Sequence, residues 1–235
     1  TCELAAEEPL PGAPRALPRL APHLLDRAVL EAGPGGARIR STLQAELQRR
    51  AEAVLERRLQ ELKDNRIHNV AAVIARVETG EVLAYVGNIL GTGAEHGEQV
   101  DVLTAPRSTG SILKPYLYAH ALQEGTILPQ SLLPDIPARM SDYNPVNYSE
   151  TYDGAAPAGL ALQRSLNVPF VMLLQRYGLQ RFHYQLEKGG ITTLNFPAHH
   201  YGLPLILGGA EGSLWDITGL YASMARTLAH YYPQE

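Results

Sequence analysis

The spacing of apolar residues changes near residue 64, and this change limits the folds open to the chain. Between residues 47 and 62, apolar side chains recur every three or four positions among Arg, Glu and Gln, which predicts an amphipathic helix. Residues 69–77 and 82–87 are rich in Val, Ile and Ala and flank Glu78-Thr79-Gly80-Glu81, which predicts a β-hairpin. An isolated hairpin is only marginally stable in water, so other elements must cover it. The pattern predicts a mixed α+β protein.

The rest of the chain alternates helical patterns with irregular connections. A short strand is predicted over residues 38–42, a mobile loop over 88–106, and a long irregular connection with four prolines over 127–147. Ser213 and Asp216 resemble a capping box with Asp in place of the usual Glu. Helices are predicted over residues 111–124, 158–163, 168–177, 180–188 and 213–228, and a short buried segment over 203–207.

The first 36 residues contain six prolines among Gly and Ala, a composition that disfavours long regular elements. We interpret residues 1–36 as a linker or extended arm and residues 37–235 as a separate unit. Because the charges of the arm are mixed, partial ordering against a neighbouring domain is as compatible with the sequence as disorder.

Composition excludes several classes of function. The chain has 235 residues and a net charge of −4, and no block of Lys or Arg indicates a nucleic-acid surface. Its single cysteine excludes an internal disulfide and a two-cysteine zinc site, and its eight histidines form no metal-binding motif. We therefore expect neither a nucleic-acid partner nor a metal or other cofactor.

The apolar runs are too short to cross a bilayer, since a spanning helix needs about 20 apolar residues. The longest runs, residues 70–75 and 203–207, fall far below that length. The chain also begins without a basic segment followed by an apolar one. We therefore expect it either to be cytoplasmic or to have a targeting segment outside this sequence.

Ser111 and Lys114 form the pair most suggestive of catalysis. In a helix that begins near Ser111, side chains three positions apart share a face, so the lysine amine could reach the serine hydroxyl. A hydroxyl needs such a base to attack a carbonyl at neutral pH. The positive end of the helix dipole would favour a neutral lysine and an oxyanion over the Ser111 amide. The pattern predicts nucleophile, base and half of an oxyanion hole.

A second motif, Ser-x-Asn, occurs once, at Ser165 and Asn167, 54 residues after the single Ser-x-x-Lys. Each motif alone is weak evidence, and Ser165 and Asn167 could simply be a helix cap. Their positions in the chain strengthen the evidence. The Ser-x-x-Lys motif follows a predicted hairpin and a glycine-containing loop, and the Ser-x-Asn motif lies at a predicted helix junction. Both belong to the motif set of penicillin-binding serine enzymes.

In these motifs the chain resembles the transpeptidase domain of the class A bifunctional penicillin-binding proteins, and within that family its 1C type. The resemblance covers roughly residues 37–230, and residues 1–36 resemble a linker from a preceding glycosyltransferase domain. It implies a penicillin-binding, serine β-lactamase-like transpeptidase fold, with an antiparallel sheet flanked by helices. The segments that carry it are residues 78–84, 108–115, 132–137, 165–169 and 205–209.

The resemblance implies a role for each motif residue. Ser111 would be the nucleophile that becomes acylated, and Lys114 its general base. Ser165 would relay a proton to the leaving group, and Asn167 would bind Lys114 and the substrate peptide. A neutral lysine requires burial or a positive neighbourhood, and a second hydroxyl can deliver a proton that one amine cannot deliver to both atoms.

A third family motif, Lys-Thr-Gly or a variant, is absent from these 235 residues. The three lysines, Lys63, Lys114 and Lys188, are followed by Asp, Pro and Gly-Gly. In the family this strand recognises the substrate carboxylate and completes the oxyanion hole. We therefore expect residues 37–235 to be the N-terminal part of the domain and a competent site to need the remaining C-terminal part.

The resemblance implies peptidoglycan DD-transpeptidation at the cell envelope, on the periplasmic side of the inner membrane, with an anchor outside this chain. Peptidoglycan stem peptides would be substrates, and β-lactams would acylate the same serine. DD-carboxypeptidation or β-lactam hydrolysis ranks lower, because no carboxylate is apparent that would activate water. A non-catalytic β-lactam sensor or cell-wall scaffold is the alternative from a different class.

Three tyrosines, Tyr143, Tyr148 and Tyr152, accumulate at the end of the proline-containing connection. The simpler interpretation is that these loop aromatics fold over the core. The alternative is that they form one wall of a peptide-binding groove, and on that basis they are candidate substrate-binding residues.

Overall fold

A computed structural model describes residues 19–33, 38–140 and 143–231. Within these residues the chain forms helices and short strands in a mixed order. The helices are α1 (Pro22–Ala32), α2 (Ala45–Leu62), α3 (Lys114–Gln123), α4 (Ala158–Gln163), α5 (Asn167–Tyr177), α6 (Leu179–Lys188), α7 (Ala198–Tyr201) and α8 (Leu214–Tyr231). The strands are β1 (Ala72–Ala75), β2 (Val82–Val86), β3 (Arg107–Ser108), β4 (Leu132–Asp135), β5 (Gly154–Pro157) and β6 (Glu211–Gly212). Short 3₁₀ turns cover Lys63–Asn65, Ala94–His96 and Leu203–Leu207.

The predicted α+β class is confirmed, but the strands do not form one continuous sheet. In the described part of the chain they form three separate antiparallel pairs, β1 with β2, β3 with β6, and β4 with β5. The β3–β6 pair joins residues about a hundred positions apart, with Arg107 opposite Gly212 and Ser108 opposite Glu211. This pair connects the segment before Ser111 to the start of α8.

The predicted hairpin and the long helix before it pack together. Gly80 turns the chain between β1 and β2 with a φ of 77°, a conformation that glycine adopts at low cost. Helix α2 lies against β2, where Leu59 contacts a small cluster that includes Val86. Gln48 fixes the position of the helix, because its side-chain amide accepts from Tyr85 N at 2.7 Å and donates to Tyr85 O at 2.9 Å.

The main core lies around α5, which is buried from Val168 to Leu174 except for the half-buried Met172. This stretch contains no polar residue, as expected for a helix segment covered on all sides. Side chains of α3, α6 and α8 and of the 3₁₀ turn Leu203–Leu207 pack around it. The fully buried apolar residues of α5 are Val168, Phe170, Val171, Leu173 and Leu174. The segments that carry Lys114 and Asn167 are therefore both packed on the main core.

The strand predicted over residues 38–42 is wrong. Residues 38–42 form no strand pairing, and the contact with β2 begins at Thr42. Thr42 donates through its hydroxyl to Val82 O at 2.7 Å, and Gln44 N donates to Leu83 O at 2.9 Å. The segment is therefore attached to the sheet edge by isolated hydrogen bonds.

The connection over residues 127–147 is less irregular than predicted, because it contains β4, and β5 was also not predicted. Pro134 lies opposite Ala155 inside the β4–β5 pair. A proline is compatible with a strand that pairs along one edge only, since its missing N–H can face away from the partner. The short helix α7 was likewise not predicted, because four residues carry too little periodicity.

The proline-rich arm contains a helix in its described part. Pro22 occupies the first helical position of α1, where a missing N–H costs nothing and the fixed φ suits a helix. Arg27 lies over the Trp215 ring at 4.7 Å, and His23 Nε2 is 3.0 Å from Glu98 O. Residues 1–18 and 34–36 of the predicted arm, and residue 37 after it, lie outside the described residues, so the boundary at residue 36 stays a prediction.

Candidate active site

Ser111 lies in a turn directly before α3, which begins at Lys114. The helix predicted from residue 111 therefore starts three residues later. Pro115 has no N–H to donate to the Ser111 carbonyl, so this carbonyl accepts from Lys114 N at 3.1 Å in a tighter turn. The first α-helical bond runs from Leu117 N to Leu113 O at 3.1 Å.

Lys114 is buried with its amine at the centre of the second motif. The residue is 1% exposed. Its Nζ donates to Ser165 O at 2.8 Å, to Ser165 Oγ at 3.3 Å and to Asn167 Oδ1 at 2.8 Å. Three acceptors match the three donors of an ammonium group. The structure therefore brings Lys114, Ser165 and Asn167 into one hydrogen-bonded group.

Burial lowers the pKa of Lys114 to about 8, because an ammonium loses much of its hydration there. At this pKa both charge states are accessible near neutral pH, as a general base requires. When Lys114 loses a proton, the two carbonyl oxygens can still only accept hydrogen bonds. Ser165 Oγ is the one partner that can then donate to Nζ. Lys114 of the first motif and Ser165 of the second can therefore share a proton.

Ser165 has a strained backbone. Its φ of 52° lies in the left-handed region, which is uncommon for residues other than glycine. It follows α4 in a helix-ending turn, in which Ser165 N donates to Leu162 O and Leu166 N donates to Ala161 O, both at 2.9 Å. The turn directs the Ser165 carbonyl at Lys114. Strain of this kind persists where the surrounding structure enforces it, often at functional sites.

Ser111 Oγ remains separate from this group. Among the hydrogen bonds of the described residues, none involves Ser111 Oγ, so the expected bond to Lys114 is not formed. The serine is partly exposed within the turn. Catalytic hydrogen bonds often form only when substrate is bound, so this separation is compatible with a nucleophile.

The three tyrosines occupy different places. Tyr148 is fully exposed, and Tyr143 packs against the main core, where burial raises its pKa. Tyr152 borders a surface cleft together with Val146. Val146 is also bound by the second motif, since Asn167 Nδ2 donates to Val146 O at 2.9 Å. The cleft beside Tyr152 therefore adjoins the motif site. A single wall of all three tyrosines is not formed.

Two features of the site were missed by the sequence analysis. Asn147 accepts from Asn167 N at 2.9 Å, although no motif spacing connects these residues. Ser108 donates through its hydroxyl to Gly208 O at 2.9 Å, which holds the chain just before Ser111. The signal for the second contact was the glycine pair at residues 208–209, since a close backbone approach requires a residue without a side chain.

The family model of the penicillin binding protein transpeptidase domain matches residues 70–227. The chain belongs to the penicillin-binding protein transpeptidase family. The resemblance noted in the two motifs is therefore confirmed. Penicillin-binding protein 1C of Escherichia coli is 38% identical over 221 residues, which are 94% of this chain and 28% of that protein. Penicillin-binding protein 1B of Haemophilus influenzae is 28% identical over 81% of this chain and 25% of its own length.

Solved structures show the same transpeptidase fold. The penicillin-binding protein PonA1 of Mycobacterium tuberculosis has a TM-score of 0.69 and 23% identity, covering 87% of this chain and 56% of that one. Penicillin-binding protein 1A of Haemophilus influenzae has a TM-score of 0.54 and 25% identity, covering 66% of this chain and 23% of that one. The chain spans only 28% of the length of the Escherichia coli protein and 25% of the length of the Haemophilus influenzae 1B protein.

Residues 19–33, 38–140 and 143–231 contain neither a bilayer-spanning helix nor a cluster of potential metal ligands. No described helix is both long enough and apolar enough to span a bilayer. Over the same ranges, no cluster of three or more His, Cys, Asp or Glu side chains could hold a metal ion.

Proposed function

We propose that this chain carries the acylating half of a peptidoglycan DD-transpeptidase. The observation that supports this most is the buried Lys114 amine, which is hydrogen-bonded to both residues of the Ser-x-Asn motif. In the proposal, Ser111 Oγ attacks the carbonyl of the penultimate D-Ala of a stem peptide. Lys114 accepts the hydroxyl proton, and the terminal D-Ala leaves as an amine.

Ser165 is proposed to carry the proton to the leaving group. It lies within hydrogen-bond distance of Nζ and is exposed on its other side, where a peptide nitrogen could reach it. Asn167 is proposed to hold the lysine through Oδ1. One proton of its Nδ2 binds Val146 O, which leaves the other for a substrate carbonyl. An amine from a neighbouring stem then resolves the acyl-enzyme, which regenerates Ser111 and forms the cross-link.

We further propose that the site is completed by a strand with a Lys-Thr-Gly-like motif, which these 235 residues do not contain. That strand would supply the second oxyanion donor and bind the substrate carboxylate. A glycosyltransferase domain ahead of the linker at residues 1–36, a location in the cell envelope and binding of β-lactams belong to the same proposal. The family membership and the names of the relatives support these parts of it.

Labelling with a fluorescent penicillin tests the nucleophile. In a longer polypeptide that carries the third motif, we expect stoichiometric labelling and a mass increase on the peptide that contains Ser111. Ser111→Ala should abolish both, whereas Ser41→Ala, a change at an exposed serine before α2, should leave a labelled protein. Equal labelling of the Ser111→Ala variant would refute the assignment.

The reaction itself is tested with a lipid-linked peptidoglycan substrate. A transpeptidase should release one D-Ala for each cross-linked dimer formed. D-Ala release without dimers would replace the proposal with the hydrolytic alternative. If cells with Ser111→Ala in the whole protein cross-link their wall normally, the scaffold alternative gains instead.

A further inference from the structure

Asn147 is a buried amide that links the first turn of α5, which carries the second motif, to Asp135 and Thr151. It is 2% exposed and lies 20 residues before Asn167. Its Oδ1 accepts from Asn167 N at 2.9 Å and from Val168 N at 3.2 Å. Its Nδ2 donates to Asp135 Oδ1 at 2.7 Å and to Thr151 O at 3.0 Å. The side chain therefore uses both of its donors and both lone pairs.

Helix α5 needs this outside partner because it cannot cap itself. The first N–H groups of a helix have no intrahelical acceptor, and a Ser, Thr, Asp or Asn at the N-cap usually satisfies one of them. Here the N-cap is Leu166, whose side chain has no acceptor. Pro169 has no N–H, so the free donors of the first turn are those of Asn167 and Val168. Asn147 accepts from both.

Asp135 fixes the direction of the Asn147 amide. This carboxylate is 1% exposed, and its second oxygen accepts from Asp153 N at 2.9 Å. An ionised carboxylate only accepts hydrogen bonds, so the Asn147 NH₂ group must face it. The carbonyl oxygen of Asn147 is thereby turned toward the first turn of α5.

The chain of contacts continues to the lysine. The backbone of Asn167 is bound by Asn147, its Nδ2 by Val146 O, and its Oδ1 accepts from Lys114 Nζ. Resting on the proposed function, we propose that Asn147, oriented by Asp135, is a positioning residue that holds Asn167 against Lys114. It touches no reacting atom. Its effect is to place the acceptor that keeps the lysine amine directed at the second motif.

Asn147→Ala tests the positioning role. The change leaves two buried N–H groups without acceptors, which destabilises the first turn of α5. We expect the second-order rate of acylation by a fluorescent penicillin to fall at least tenfold per folded molecule, with the folded fraction measured by thermal unfolding. Asn144→Ala is the matched control, because Asn144 lies in the same connection but is exposed. The control should react within twofold of wild type.

A charge exchange provides a rescue. Asn147→Asp keeps an oxygen for the two N–H groups but places a second carboxylate against Asp135, and the two negative charges repel each other. Replacing Asp135 by Asn in the same protein restores a donor between the two side chains. We expect Asn147→Asp to react at least tenfold more slowly than wild type, and the double variant Asn147→Asp, Asp135→Asn to recover most of that loss.

The outcomes separate the two proposals. If wild type is not labelled at Ser111, the proposed function fails and the positioning role fails with it. If wild type is labelled and folded Asn147→Ala reacts within twofold of it, only the positioning role is overturned. A double variant that reacts no faster than Asn147→Asp also overturns it. A tenfold loss per folded molecule followed by recovery supports the role, because a contribution to stability alone would leave each folded molecule fully reactive.

Discussion

At the scale of single residues, the chemistry depends on the charge of Lys114. Its amine is enclosed by three oxygen acceptors, which favour the ammonium, and by burial, which disfavours it. Burial is the stronger effect, since it lowers the pKa to about 8. An accessible fraction of Lys114 is therefore neutral near pH 7 and can act as a base.

This pKa sets the pH dependence of acylation. Below pH about 8 the neutral fraction of Lys114 increases tenfold per pH unit, so the second-order acylation rate should rise with that slope and level off above pH 8. The measurement is stopped-flow labelling with a fluorescent penicillin between pH 6 and 9.5. A rate that does not change across this range would contradict a role for Lys114 as the base.

The same burial has a cost in stability. The pKa of Lys114 is lowered from 10.5 to about 8 on folding, so between these values the unfolded chain binds more protons than the folded one. The penalty is therefore complete below pH 8 and disappears as the pH rises through 10.5. Relative to Lys114→Met, the free energy of unfolding of wild type should increase by about 1–3 kcal/mol from pH 7 to 10.5. Chemical denaturation of both proteins at matched pH measures this difference, and parallel pH curves would contradict it.

The sequence predicted the residues of this site better than their geometry. Ser165 and Asn167 were identified by spacing, because three-residue motifs are local. The left-handed backbone of Ser165 was not predicted, since glycine or asparagine is the usual residue in that conformation. Asn147 was not found either, because its bond to Asn167 connects two segments that share no periodic pattern.

At the scale of elements, strong periodicity predicted the helices, whereas short strands needed tertiary information. The helix over residues 47–62 is found as Ala45–Leu62. Only one of the two hydrogen bonds of the predicted capping box at α8 is formed. In it, Ser213 Oγ accepts from Asp216 N at 3.0 Å. The Asp216 carboxylate instead accepts from Thr192 N at 2.9 Å. Strand β4 was missed because Pro134 is compatible with strand structure only where one edge is unpaired.

Gly208 packs against Gly110, the residue directly before the nucleophile Ser111. Its φ is 98°, and an added Cβ would lie 2.7 Å from Gly110 N and 2.8 Å from Gly110 Cα. Gly208→Ala should therefore displace the turn before Ser111 and lower the penicillin labelling rate at least tenfold. Labelling kinetics of the folded protein provide the measurement.

Gly190 is the matched control for this change. Its φ is 93°, but nothing lies within 4 Å of an added Cβ. Gly190→Ala should have a similar cost from positive φ, about 1 kcal/mol in the free energy of unfolding, without loss of labelling per folded molecule. Equal labelling by the two alanine variants would show that the contact with Gly110 does not position Ser111.

At the scale of the whole molecule, the described strands leave edges that more chain could cover. Strand β1 pairs with β2 along one edge, and among the described residues no strand pairs with its other edge. Ile74 on β1 is partly exposed. Unpaired edges with apolar side chains favour the addition of further strands. Hydrophobic patterns alone do not show which strand would cover this edge, because pairing between distant segments leaves no local signal.

Residues 1–235 alone lack the third motif, which limits their expected activity. The backbone amide at Ser111 offers one oxyanion donor, and loss of the second donor costs roughly 10²–10³ in rate. We therefore expect this polypeptide to fold but to acylate at least 100-fold more slowly than a longer polypeptide with a Lys-Thr-Gly-like strand. Fluorescent penicillin labelling of both, with circular dichroism as the folding control, makes the comparison. Comparable labelling of Ser111 in the two would mean that the Ser111 turn and the Lys114 group suffice for acylation, and the requirement for a third motif would be wrong.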